Sequence, residues 1–108
     1  MAIELPKPIL DYFQADQGDR GIVADCFTEA ATVTDEGNTY LGRNAIREWK
    51  TASSKKYSYT VDPFSVEKIG ERIVVTAHVI GNFPGSPVDL RYFFLLEHGK
   101  IAALEIKI

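Results

Sequence analysis

The chain has 108 residues, 45% of them hydrophobic and 25% charged, with a net charge of −3 and a pI of about 5.3. That length suits one domain, residues 1–108, with a real apolar core, and the acidic balance argues against nucleic acid or an anionic membrane surface as partner, since both call for a basic face. The lone Cys26 cannot form an internal disulfide, no apolar run reaches the ~20 residues of a membrane span, and MAIELPKP lacks the pattern of a secretion signal, so we expect a cytoplasmic location.

Pro8 suits the first turn of a helix, where its missing N–H does no harm. Ile9, Leu10 and Phe13 then share one helical face, with Tyr12 at its border. Gly18 ends this helix and Asp19 can cap a second, whose face is Ile22, Val23, Cys26 and Phe27. Both helices are short and need tertiary packing to persist.

The central stretch is ATVTDEGNTYLGRNAIREW, Ala31 to Trp49. Thr32, Val33 and Thr34 are β-branched and predict a strand. Asp35-Glu36-Gly37-Asn38 predicts a tight turn, Thr39 to Leu41 a short return strand, and Gly42 a break. A third helix starts near Arg43-Asn44, with Ala45, Ile46 and Trp49 inward and Arg47, Glu48 and Lys50 outward, fading over Thr51 to Lys56. From Tyr57 the period becomes two: Tyr57, Tyr59 and Val61 alternate with polar residues. At Pro63 the apolar positions slip to Phe64 and Val66, the mark of a bulge in a long strand. A turn at Ile69-Gly70-Glu71 leads to a strand over Arg72 to Ile80 that is apolar on both faces. The loop GNFPGSP, a strand over Val88 to Glu97, a turn at His98-Gly99 and a strand over Ile101 to Ile108 complete the chain. Short connections imply an antiparallel meander, and helices followed by strands an α+β class. The expected architecture is a curved antiparallel sheet, four long strands plus a short pair, closed by three helices into a cone with an internal pocket. The two-sided strand predicts a twofold partner, a homodimer through the convex face.

Asp35, at the end of a short strand with a tryptophan-bearing helix close behind, is the first candidate for chemistry. A desolvated carboxylate suits a general base; the other reading is a turn residue capping backbone N–H groups. Asp89 and Arg91 share one strand face and form either a charged pair in the pocket or a surface salt bridge. His78 is a lone histidine in an apolar strand, an acid–base group or a satisfied core residue. Tyr12, Phe13, Trp49, Tyr57, Tyr59, Thr76, Phe93, Leu104 and Ile106, with Asp89, are the candidate pocket lining. Metal-ligand spacing and a phosphate loop are both missing from the sequence, so we expect no metal and no cofactor. Cys26 reads as a small core residue.

DQGD at the end of the first helix, DCFTEAATVTDEG, GRNAIREW and EHGKIAALEI occur in an order and spacing that resembles the SnoaL-like, ketosteroid-isomerase-like branch of the nuclear transport factor 2-like superfamily. The resemblance covers essentially the whole chain. It implies a cystatin-like α+β cone around a small-molecule pocket and points His78 inward beside Thr76 and Ile80. It also implies an isomerase, cyclase, dehydratase or hydrolase acting without a cofactor on a small apolar ring compound, or else a non-catalytic binding or dimerisation module, since this fold carries many functions. In the isomerases a general-base aspartate follows the ATV strand, and Asp35 holds that place. Their first-helix tyrosine falls on Asp11, with Tyr12 one position off, and their strand acid falls on Arg91. One of the three catalytic groups therefore matches, with Arg91 or His78 left to steady developing charge. An arginine in that place is similar to the mixed Asp and Arg sites of limonene-epoxide-hydrolase-like relatives, in a different order.

Overall fold

A computed structural model describes residues 3–108. Helix α1 runs over Lys7–Gln17, with Pro8 in its first turn as the sequence implies. Its buried face is Ile9, Tyr12, Phe13 and Asp16, spaced by three and four, while Leu10 is left 39% exposed. The second helix is a 3₁₀ helix, Arg20–Cys26, not an α-helix. Seven residues with Gly21 near the start and only one side-chain cap, Asp19 on the Gly21 N–H, are too few for stable α turns. Phe27 is not on its face but opens the first strand, fully buried. Helix α2 spans Arg43–Lys56 and does not fade; the polar run continues it, with Lys55 and Lys56 placed favourably in the last turn.

The strands are β1 Phe27–Asp35, β2 Asn38–Leu41, β3 Tyr59–Ile69, β4 Arg72–Gly81, β5 Val88–Glu97 and β6 Lys100–Lys107. They form one curved sheet in the order β2-β1-β6-β5-β4-β3. Strands β3, β4, β5 and β6 pair antiparallel as expected, but β1 lies parallel to β6, so the sheet is mixed. The antiparallel meander fails at this one junction because β2 and helix α2 carry the chain away from β1 to the far edge of the sheet at β3, and only the last strand, β6, returns to it. The break at Pro63 is a true irregularity: Pro63 faces Ala77 and Ser65 faces Thr76, which leaves Phe64 as the extra residue, 49% exposed.

The helices pack on one face of the sheet. The core is Ile9, Tyr12, Phe13, Val23, Ile46 and Trp49 against Val33, Val75, Ala77, Tyr92, Phe94 and Leu104. Alternation puts Leu90, Tyr92, Phe94 and Leu96 on this inner face, and Asp89, Arg91 and Phe93 on the outer one. Through the β4–β5 register, His78 opposite Asp89 and Thr76 opposite Arg91 are outer as well.

Candidate active site

Asp35 ends β1 on the inner face, in one row with Ile106 of β6 and Tyr92 of β5. The turn that follows it needs positive φ at Glu36 (53°) and Gly37 (79°), which fixes where the strand stops. Its carboxylate is half-buried. Trp49 of α2 donates its indole N–H to Asp35 Oδ2 at 3.0 Å, and the indole in turn packs on the ring of Tyr40 at 6.0 Å. Gly42 and Arg43 set the helix that carries Trp49: the Gly42 N–H donates to the Ala31 carbonyl at 2.8 Å, and Arg43 Nε to the Phe27 carbonyl at 2.9 Å. Both bonds tie the start of α2 to β1, so the tryptophan reaches the carboxylate at the far end of the same strand.

Beside this pair lies a polar network that the sequence reading missed. Asp16 of α1 and Lys50 of α2 form an ion pair of 2.9 Å with side chains only 3% and 4% exposed. Lys50 Nζ also donates to the hydroxyl of Tyr12 at 3.3 Å and to that of Tyr59 at 3.5 Å. The Tyr59 hydroxyl donates to Asp16 at 3.0 Å. Arg20 stacks 4.6 Å over the Tyr59 ring and donates from Nε to the Asp16 carbonyl at 2.6 Å. Gly81, opposite Tyr59, lets the start of β3 lie close against the end of β4: a methyl group there would overlap the Ser58 carbonyl and the Cα and Cβ of Tyr59. The ammonium of Lys50 sits 4.3 Å from the centre of the Trp49 ring.

Burial dominates the titration of Lys50 and of the buried tyrosines. It pulls Lys50 below the usual lysine value, with Asp16 opposing. It pushes the phenols of Tyr12, Tyr59 and Tyr92 up, and the negative charges of Asp16 and Asp35 push the same way. All three phenols therefore stay protonated at neutral pH and act as hydrogen-bond donors rather than bases. The proton of Tyr59 is committed to Asp16; the hydroxyl of Tyr92 has no hydrogen-bond partner among the described residues, although no fully buried side-chain polar atom is left unsatisfied.

The candidates read from sequence divide accordingly. Asp35, Tyr12, Phe13, Trp49, Tyr59, Leu104 and Ile106 come together on the inner face. Phe13 is buried edge-on to Tyr92 at 5.1 Å. Thr76, His78, Asp89, Arg91 and Phe93 do not join them; all five lie on the outer face. There His78 and Asp89 form an exposed pair of 2.7 Å, and Arg91 lies over Phe93 and reaches the Ile108 carbonyl at 3.5 Å. A pocket role for these five gives way because the continuously apolar Leu90-to-Leu96 row must face the core, which turns its neighbours out. Tyr57 precedes β3 and packs edge-on to Phe83 in the β4–β5 loop, outside the network. Lys50, expected outward, is inward. Its signal was there: Ile46, Trp49 and Lys50 repeat the spacing of Ile9, Tyr12 and Phe13 on α1.

Two surface clefts lie apart from this site. One of about 430 Å³ runs between α1 and the 3₁₀ helix, beside Asp11, Asp19 and Cys26; one of about 410 Å³ lies at the start of α2, beside Arg43 and Arg47. Among the described residues no group of His, Cys, Asp and Glu is placed to hold a metal ion, and no helix is long and apolar enough to cross a membrane.

No family model and no curated protein matches the chain. Solved structures do. Protein SMa1630 of Sinorhizobium meliloti, described as a candidate polyketide cyclase, is 40% identical, with 95% of each chain covered and a TM-score of 0.90. A Catenulispora acidiphila protein with a ketosteroid-isomerase-like fold, crystallised with trimethylamine, is 18% identical over 97% of this chain and 87% of that one, with a TM-score of 0.84. TerC, crystallised with polyporic acid, is 16% identical over 94% of this chain and 88% of that one, with a TM-score of 0.78.

Proposed function

Because the chain belongs to the SnoaL-like, ketosteroid-isomerase-like branch of the nuclear transport factor 2-like superfamily, we propose that its inner sheet face binds a small apolar ring compound and that Asp35 is the general base acting on it. The observation that carries this reading is the Trp49 N–H held on one oxygen of Asp35, with the Tyr92 hydroxyl, unpartnered among the described residues, across the same row. β1 and β5 flank β6 and are two strand spacings apart, about 10 Å before curvature draws them together, so a ring lying over Ile106 would reach both groups. One carboxylate oxygen is used by the indole; the other is left for a substrate proton.

The step this geometry suits is proton abstraction next to a carbonyl. Asp35 takes the proton, the C–H pair becomes the new carbon–carbon π bond, and the carbonyl π pair moves to oxygen. The Tyr92 O–H donates to that enolate oxygen, and Asp35 returns the proton to the same or another carbon. Isomerisation, ring closure and dehydration all begin this way, and none needs a cofactor. The charges of Asp16, Asp35, Arg20 and Lys50 cancel, so a neutral ligand fits better than a carboxylate. A second reading rests on the Tyr40–Trp49 pair beside Asp35, which also suits an organic cation held without chemistry. Trimethylamine, crystallised with the Catenulispora acidiphila protein, is a cation of that kind.

The test is deuterium uptake by β-tetralone, an apolar bicyclic ketone, followed by proton NMR in heavy water. The wild-type protein accelerates exchange, and Asp35→Asn loses about 10²-fold or more of that acceleration with an unchanged melting temperature. Equal acceleration by both removes Asp35 from the reaction. Binding of the ketone without exchange favours the non-catalytic reading. On the outer face, where Val74 stands opposite Phe93 and Ile80 is 50% exposed farther along β4, we propose a second copy of the chain as cover; a monomer by light scattering at micromolar concentration rejects it.

A further inference from the structure

The buried Asp16–Lys50 pair is the largest feature of the interior that the proposed reaction does not use. It is also joined to that reaction by one side chain. Lys50 and Trp49 are neighbours on α2, and the lysine curls back so that its ammonium lies 4.3 Å over the indole. The edge of that indole donates to Asp35 at 3.0 Å. Asp16 grips the ammonium at 2.9 Å from α1, and Tyr59 brings β3 to the same carboxylate. Three elements thus clamp one cation against one ring face.

We propose that the Asp16–Lys50 pair is a positioning device that acts through Trp49 on Asp35. Two physical effects follow from the geometry. A cation over the ring face draws electron density from the indole and makes its N–H a stronger donor. The clamp also removes the rotational freedom of Trp49, so the N–H stays aimed at the carboxylate. Asp35 is then held in one orientation before any ligand arrives, with Oδ2 on the indole and the other oxygen left for the ligand. Neither Asp16 nor Lys50 touches the substrate in this account. The inference rests on the reading of Asp35 as the working carboxylate.

The protein has one tryptophan, so its proton–nitrogen NMR spectrum shows one indole cross-peak, a direct report on this bond. Asp35→Asn replaces a charged acceptor by a neutral one; it moves the indole proton upfield and speeds its exchange with water. The paired variant Asp16→Leu/Lys50→Met removes the ion pair while keeping apolar bulk. It moves the cross-peak at least half as far in the same direction and speeds exchange severalfold, although Asp35 is intact. Added to Asp35→Asn, the paired change produces little further shift. Asp16→Asn, which keeps shape but removes charge, gives a smaller shift of the same sign and decides the matter alone if the paired variant does not fold. An unmoved cross-peak in these variants overturns the inference. So does a shift that returns undiminished in the Asp35→Asn background, because the pair then acts on the ring but not through its bond to Asp35. The readout needs no turnover. A wild-type protein inactive on β-tetralone removes the catalytic reading and leaves this coupling to be judged by the spectrum.

Discussion

Two charged pairs lie on opposite sides of one sheet. Asp16–Lys50, inside, spans 2.9 Å; His78–Asp89, outside, spans 2.7 Å. Distance does not separate them, but water does: the inner side chains are 3–4% exposed and the outer ones 45% and 55%. Inside, each charge has lost its hydration and depends on its partner, on Tyr12 and on Tyr59. Outside, solvent screens the pair and replaces either member when it is removed. A short contact therefore says little until burial is known. The inner pair also shares its surroundings with Asp35, whereas the outer pair faces away from it.

The largest expected effect comes from breaking the inner pair on one side. Lys50→Ala leaves buried Asp16 with only the longer 3.8 Å contact to Arg20 as counter-charge and destabilises the fold by about 3 kcal/mol, read by chemical denaturation. If the loss is under about 1 kcal/mol, the two pairs are equivalent and the contrast fails.

High pH probes the same interior. Tyr12, Tyr59 and Tyr92 ionise less readily folded than unfolded, so the stability they contribute is complete below the ordinary tyrosine value of 10.0 and is lost as pH rises above it. Lys50 works in the opposite sense. Its protonation is disfavoured in the folded state, and that penalty fades as pH rises toward 10.5. Stability should therefore hold or rise slightly up to about pH 10 and then fall steeply. Tyrosinate absorbance from the buried rings should appear together with loss of circular dichroism. Ionisation of all the tyrosines well before unfolding would contradict the burial argument.

A smaller effect is expected for Tyr59→Phe, which removes one hydrogen bond to the Asp16 carboxylate and leaves the Arg20 stacking in place. It should lower stability by about 1–2 kcal/mol. Smallest of all is His78→Ala, under about 1 kcal/mol, with β-tetralone exchange unchanged because the residue faces away from Asp35. A loss of exchange in this variant would return His78 to the site.

The fold was legible because its signals are local and repeated. The slip at Pro63 marked a real bulge, and the ATV strand, the Asp35 turn and the GRNAIREW helix stand where the pattern put them. The parallel junction of β1 with β6 was not legible, since it joins segments distant in sequence. Side assignment was harder. Val74 and Val75 are both buried, from opposite faces of β4, so alternation there could not say which way His78 points. On β5 the row from Leu90 to Leu96 did carry the answer, because an unbroken apolar face goes to the core before a charged one does. Lys50 and Asp16 were hidden by their type: long charged side chains are rarely fully buried, and only mutual pairing makes it tolerable. Helical spacing placed both inward, against that expectation.

The inner face and the outer face make opposite claims about where a ligand sits. β-Naphthol has the shape of the enol of β-tetralone and carries a hydroxyl where the developing oxyanion would be. A crystal structure of the protein with β-naphthol tests the account most directly. The account predicts the naphthol oxygen within hydrogen-bond distance of the Tyr92 hydroxyl and the ring between Asp35 and Tyr92, on the side of the sheet covered by α2. A ligand lodged instead on the outer face beside His78 and Arg91, with Asp35 still closed on Trp49 and nothing bound near it, would contradict it.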